Sequence, residues 1–200
     1  MAKSDKVQCG LVVDVAEETT ERVKQILHDI PGGAQNAIYS ALARAGESGR
    51  TVAARAAAKE YTITQSVFNA NIRAIERVKR MDGDTISIKF GYCGYVIPLI
   101  SFDTRVTANG YVATRVKRSS TREILDNAFM TNVGTHTGIF ERETSDRKPI
   151  KELFGPAPTQ MMYSNEEVMD SVEERASEMY EQRIEHEIYR ILNGYGGGKV

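Results

Sequence analysis

The strongest constraint on this chain lies near its end, where Val168, Val172, Ala176, Met179, Ile184, Ile188 and Ile191 recur at near-helical steps. A stripe of this kind predicts one long amphipathic helix over 164–193, and its apolar face has to be buried against something. Ser164 followed by Glu167 has the spacing of a capping box at its start. Gly194, Gly196, Gly197 and Gly198 terminate it and leave a flexible tail over 194–200. The opposite face is acidic, because segment 166–187 carries nine acids against Arg175 and Arg183.

A second helical block lies upstream. Residues 34–59 are rich in alanine, with Ile38, Leu42, Ala45, Val52 and Ala56 spaced for one face. Gly46 and Gly49 mark a kink, a break, or a close approach of another backbone. Ahead of this block, 7–13 reads as a short strand and Asp14 with Glu17 as a capping box. The helix it opens places Val15, Val23, Ile26, Leu27 and Ile30 on one side and stops at Pro31, Gly32 and Gly33.

Between the two helical blocks the period shortens. Thr62 with Gln65 has capping-box spacing for a short helix to about Ile72. Ile75 to Lys79 and Thr85 to Phe90 flank Met81, Asp82, Gly83 and Asp84 as a hairpin. In its second strand Ile86, Ile88 and Phe90 alternate with Thr85, Ser87 and Lys89. The apolar run 95–102 contains Pro98, which disfavours a central strand. Asn109 and Gly110 signal a turn, 111–116 resumes as a strand of ambiguous phase, 124–130 reads as a short helix, and 135–140 as a strand. Pro149, Pro156 and Pro158 make the following stretch irregular.

This succession describes an α+β fold, with helices packed on one side of a mostly antiparallel sheet and a long C-terminal helix. The expected division is a core over 1–148 with N-terminal helices, a Pro-containing arm over 149–163, the helix over 164–193 and the tail. With 200 residues, 41% hydrophobic and 26% charged, the chain has the balance of a folded soluble protein. Gln8, Gly10 and Asp14 interrupt the first apolar run as no signal peptide would, and no run approaches the roughly 20 apolar residues of a membrane span. Two cysteines, Cys9 and Cys93, are too few for a disulfide framework or a thiolate metal site, which fits assembly in a reducing cytoplasm.

Patterns for chemistry are sparse. His28, His136 and His186 fall in three separate elements, and His186 with Glu187 starts like a zinc-protease helix but has Arg190 at the second ligand position. The glycines around Tyr92 and at Gly32 and Gly33 lack the lysine and hydroxyl of a nucleotide loop. A nucleophile from Cys93 and His136, oriented by Asp103 or Asp126, has no local spacing that calls for it. Adjacent acids such as Glu166 with Glu167, or Glu173 with Glu174, point about 100° apart on a helix and make a poor glycosidase pair. No catalytic, cofactor or metal residue is assigned, and the expectation is a protein that is not an enzyme.

Charge separation says more. The formal net charge is −1, yet 105–122 holds Arg105, Arg115, Lys117, Arg118 and Arg122 with no acid. A basic surface and an acidic helix on one chain favour head-to-tail contact between copies. In a ring the basic segment becomes a band able to face DNA, although aromatic residues are thinly interleaved with it. The alternative expectation is a nucleic-acid-binding module using this segment.

In order along the chain stand Asn36, Ala37, Ala41, Leu42, Arg44 and Ala45, then Tyr61, Thr62 and Ile63, then Ile97, Pro98, Leu99 and Phe102. After them come Gly138 to Arg142, then Pro149, Ile150, Leu153, Phe154, Gly155, Pro156 and Ala157, and finally Arg183 to Ile188. In this order and spacing the sequence resembles the phage minor tail protein Z family, the tail completion proteins of long-tailed phages and prophages. The resemblance implies a structural protein of the virion tail, assembled in the bacterial host cytoplasm. Its place would be near the head-proximal end, where it acts in tail completion and head–tail joining.

The family also implies a homo-oligomer, often a hexameric ring, touching other tail or neck proteins and contacting DNA in the tail lumen nonspecifically, with no membrane. It brings no established catalytic residues to transfer. The near-neutral charge departs from strongly basic relatives and weakens direct DNA contact. Under this reading Ile150, Leu153 and Phe154 of the arm insert into a neighbour. The apolar remainder of the terminal helix, Val168, Val172, Met179, Ile184 and Ile188, meets another.

Overall fold

The computed structural model describes the backbone of residues 6–9, 17–80 and 86–194 and the side chains of 19–74 and 91–194. Strand β1 (Lys6–Cys9) precedes helices α1 (Glu17–Ile26), α2 (Gly33–Glu60) and α3 (Gln65–Ala70). Then follow β2 (Ile72–Arg80), β3 (Ile86–Tyr95), β4 (Ile97–Pro98), a 3-10 turn at Leu99–Ser101, and β5 (Asp103–Val106). Strands β6 (Val112–Arg115), β7 (Glu123–Leu125), β8 (Ala128–Val133) and β9 (His136–Arg142) come next, with β10 (Ile150–Glu152) and β11 (Phe154–Gly155) after them. Helices α4 (Pro158–Tyr163) and α5 (Glu166–Leu192) complete the chain.

The α+β class is as expected, with antiparallel sheets and a long C-terminal helix. The strands are shared among four small sheets, ordered β1-β3-β2, β10-β9-β8, β11-β4 and β5-β6-β7. Two compact units form, where one core with appendages was expected. Among the described residues unit 1 takes those up to Val7, Ala54–Ile72 and Gly94–Asn165, while unit 2 takes those from Gln8 to Ala53, Arg73–Cys93 and the chain from Glu166 on. Helix α2 and strand β3 contribute to both, so no linker composition marks the division.

Unit 2 is built on the C-terminal apolar stripe. Val172, Ala176, Tyr180, Ile184, Ile188 and Ile191 of α5 are buried, as are Val23 of α1 and Ala37, Ile38, Ala41, Leu42 and Ala45 of α2. Alanines on α2 allow close packing, and Gly49 allows the closest. A Cβ there would lie 2.6 Å from Tyr92 Oη and 3.2 Å from Val172 Cγ1. The Tyr92 hydroxyl donates to the Gly46 carbonyl at 2.9 Å. Helix α2 therefore runs unbroken through both glycines, and Gly49 makes room for a ring, a valine side chain and the backbone of α5, whose Val172 carbonyl oxygen would lie 3.4 Å from a Cβ there. Arg175 Nε donates to Ser48 Oγ at 3.0 Å and Arg22 pairs with Glu185 at 2.5 Å, tying α5 to α2 and α1.

In unit 1 the chain makes short, frequently turning strands. Segment 124–130, expected as a helix, is extended: β7 pairs with β6, Asn127 turns at φ 62°, and β8 pairs with β9 along its whole length. Asp126 and Asn127 are turn formers, and they carry the chain from one sheet to the next. The expected arm is also built in. β10 pairs with β9, β11 pairs with β4, and Pro158, Thr159, Met161 and Met162 of α4 are buried. Three prolines remove donors, but the remaining backbone groups find partners: Leu153 N–H donates to Ile139 O at 2.8 Å and Leu99 N–H to Leu153 O at 2.9 Å. Pro158 opens α4 and Gln160 Oε1 accepts from Ala157 N–H at 2.8 Å.

Two expected caps are reassigned. Thr64, not Thr62, caps α3 by accepting from Val67 N–H at 3.3 Å. Thr62 instead donates to Arg115 O at 2.5 Å and accepts from Asp103 N–H at 3.0 Å. Ser164 closes α4 by donating to Met161 O at 2.9 Å. Val23 of α1 and Leu27 just after it are buried but Ile26, expected beside them, is exposed. Asp14, Val15, residues 10–13, the turn 81–84, the side-chain alternation of 85–90 and the glycines after Gly194 lie outside the described residues.

Candidate functional site

The basic segment folds into two groups with different roles. Register in the β5-β6-β7 sheet sets Asp103 opposite Arg115 and Arg105 opposite Ala113, with Ile124 beside Ala113 on β7. Alternation puts these residues on one face and Thr104, Val112 and Thr114 on the other. That second face is the inner one, with Val112 and Thr114 buried and Thr104 bonded to Thr114 through their hydroxyls at 2.9 Å. The outer face carries Arg105, Arg115 and Arg122, gathered by one carboxylate. Asp103 Oδ2 accepts from Arg122 at 2.6 Å and from Arg115 at 2.9 Å, and Arg105 Nε stands 3.5 Å from Oδ1.

Hydrogen bonding from Arg122 dominates the electrostatics of this cluster and, with the charges of Arg122 and Arg105 and the bond from Arg115, holds the Asp103 carboxyl below the usual aspartate range. Three guanidinium groups with five donors each surround a carboxylate of charge −1, leaving a surplus of cationic charge and of N–H groups. Arg105 is mostly exposed and Ile124, on the same face, is 59% exposed.

Lys117 and Arg118 are occupied differently. Arg118 donates its backbone N–H to Glu60 O at 2.8 Å and its Nε to Ala58 O at 3.0 Å, satisfying carbonyls at the C-terminal end of α2. Lys117 Nζ pairs with Glu60 at 2.9 Å and lies 5.5 Å from the centre of the Tyr61 ring. Its pKa is raised, chiefly by hydrogen bonding to Glu60. These two cations hold unit 1 together, whereas the three arginines on the sheet face have capacity to spare.

The acidic counterpart is the outer face of α5. Glu178 is used by Arg175, Glu185 by Arg22, and the buried Glu187 by Arg190 at 2.7 Å. Glu167, Asp170 and Glu174 are exposed, and no ion pair engages them among the described residues. The apolar residues expected to meet a neighbour are mostly consumed within the chain. Val172, Ile184 and Ile188 are 0%, 2% and 5% exposed, because the stripe that looks sticky in sequence is the core of unit 2. Val168 and Met179 are half-buried there, and Ile150, Leu153 and Phe154 are half-buried in unit 1. Exposed in their place are Tyr189, at 70%, and Leu192.

The residues weighed for chemistry have other partners. His136 Nε2 bonds Glu152 Oε1 at 2.6 Å across β9 and β10, in a space that a Cβ on Gly138 would fill at 2.7 Å from that oxygen. Asp103 belongs to the arginines, Asp126 is exposed, and Cys93 is a buried free thiol. His28 lies against Asp29, and His186 lies 3.8 Å from Glu187. Among the described residues no three His, Cys, Asp or Glu side chains converge as a metal site requires, and no helix is long and apolar enough to cross a membrane.

Counting charge only from Arg105 onward missed Asp103, although strand alternation places 103 on the face of 105. Tyr189 was also missed, since it stands outside the apolar stripe. Comparison with protein-family models, with curated proteins and with solved structures finds no match for this chain.

Proposed function

We propose that this chain is a structural subunit of a phage or prophage tail, acting near the head-proximal end in tail completion and head–tail joining. It works by assembling with copies of itself in a ring and with neighbouring tail or neck proteins, and no side chain makes or breaks a bond. The resemblance stated above motivates the assignment. The observation that supports it is the presence, on one chain, of two unspent surfaces of opposite sign: the arginines on the outer β5-β6-β7 face and the carboxylates of α5. Such patches orient copies head to tail, and a heterologous contact of this type generates a closed ring when its rotation closes.

The test is electron microscopy of tails assembled with and without the protein, with a label on the chain. The expected result is a label at the head-proximal end and, without the chain, tails that fail to join filled heads. Virions that lack the polypeptide, with tails that mature and attach normally in its absence, would overturn the reading. A second reading, a nucleic-acid-binding module, is favoured by the surplus guanidinium donors. It predicts salt-sensitive DNA binding by the monomer that is lost when Arg105, Arg115 and Arg122 are neutralised.

A further inference from the structure

We infer that the outer face of β5-β6-β7 is the docking site for α5 of a second copy, laid across the strands with its carboxylates on the three arginines. This rests on the self-assembly reading and specifies its contact. Each strand supplies one cation: Arg105 on β5, Arg115 at the end of β6, and Arg122 just before β7. Because Arg105 lies opposite Ala113 and Arg115 opposite Asp103, Arg105 and Arg115 are diagonal neighbours about 7–8 Å apart at the backbone, and their long side chains converge on Asp103. On α5 the unpaired carboxylates of Glu167, Asp170 and Glu174 are separated by three and four residues, so they share one side of the helix and step by about 4.5–6 Å along its axis. A row of three carboxylates therefore faces a cluster of three guanidinium groups of opposite charge.

The site is prepared for that ligand. Asp103 holds Arg115 and Arg122 through one oxygen, which fixes their direction; Arg115 Nε is buried, so the donors offered to a ligand come chiefly from the exposed Arg105. Ile124 adds an exposed apolar contact at the side of the cations. The occupant that charge complementarity on this chain supplies is α5 of a second copy, whose exposed carboxylates bring the sign opposite to that of the three arginines.

The full-length chain tests this by sedimentation across protein concentration, at low and high salt. Arg105→Glu with Arg122→Glu, and separately Asp170→Lys with Glu174→Lys, are each expected to weaken association about tenfold or more. A mixture of the two variants is expected to regain it, because each then carries the partner of the other's altered face. Arg105→Glu alone, at the most exposed arginine of the three, is a milder variant whose folding is checked by circular dichroism. The inference fails if the mixture stays as weak as its components, or if the wild-type chain remains monomeric at submillimolar concentration in low salt. It also fails if Arg105→Glu with Arg122→Glu abolishes binding to a short DNA duplex while leaving self-association intact. Wild-type monomers would overturn this contact alone, whereas normal tails lacking the chain would overturn the tail assignment.

Discussion

Unit 2 is held by what its helices lack, and unit 1 by what its strands carry. In unit 2, alanines and glycines on α2 let Tyr92 and the α5 stripe come within contact distance, so cohesion is apolar and depends on volume. In unit 1, short strands and an α2 end are joined by Thr62, Asp103, Lys117 and Arg118 bonding across elements far apart in sequence. A long apolar stripe is thus a poor guide to an interface, because a helix that must bury one face does so within its own chain first. Charged side chains are the better guide, once those spent on caps and cross-links are subtracted.

The largest expected effect separates core from interface at Ile184. Ile184→Ala removes a side chain buried in unit 2, and the cavity and lost transfer energy together cost about 3 kcal/mol. Chemical denaturation should show that loss equally at low and high protein concentration. A loss appearing only where copies associate would return Ile184 to the interface and break the contrast between the units.

A smaller effect is expected at Gly49. The Cβ of Gly49→Ala would press on the Tyr92 hydroxyl, which is buried and bonded to Gly46 and so has little room to yield. Overpacking of this kind outweighs the helix propensity gained, for a net loss of about 1–2 kcal/mol. Combining it with Tyr92→Phe should recover part of that loss in thermal unfolding. Full stability of Gly49→Ala alone would mean that unit 2 is more loosely packed than its apolar contacts indicate.

How much of this was legible follows from the same contrast. Helices α2 and α5 were readable because each carries its own period over more than six turns, but the period does not say what covers the face, and Val172 and Ile184, expected against a neighbour, lie in the chain's own core. The class followed, and Pro98 stays out of a central strand, since β4 pairs with β11 in a two-stranded sheet. What sequence could not supply was pairing at a distance. Thr62 has the local spacing of a cap, yet its hydroxyl is claimed by Arg115 from the other side of unit 1. Segment 124–130 is apolar enough for a helix, yet its backbone is taken by β6 and β9, two different ladders. The arginine cluster was half visible: its cations were, and alternation sets Asp103 on the face of Arg105, but that Asp103 also faces Arg115 appears only once the β5–β6 register is fixed.

One polar atom in the apolar unit allows a finer test. Tyr180 is buried, its hydroxyl has no hydrogen-bond partner among the described residues, and burial pushes its ionisation far above the usual tyrosine range. An unsatisfied buried hydroxyl is a cost, so Tyr180→Phe is expected to stabilise the chain by about 1 kcal/mol. A loss of similar size in the same denaturation measurement would show that the hydroxyl has a partner, and that unit 2 also relies on a polar contact.

The smallest expected effect belongs to unit 1 and depends on pH. Asp103 is depressed in the folded chain by hydrogen bonding from Arg122 first, then by the charges and bonds of its other arginines. A carboxyl whose folded pKa lies below its unfolded value of 3.8 contributes stability that is fully present above that value, and the contribution is lost as pH falls through the folded pKa. At neutral pH Asp103→Asn should therefore lower the melting temperature modestly, and the difference from wild type should shrink as both are titrated below the ordinary aspartate range. The carboxyl resonance of Asp103 should titrate below the ordinary aspartate range. If the mutant and wild-type curves stay parallel into acid, the arginines do not depend on this carboxylate, and unit 1 owes its cohesion to the backbone ladders instead. The row of cations would then lack the fixed direction that docking α5 requires.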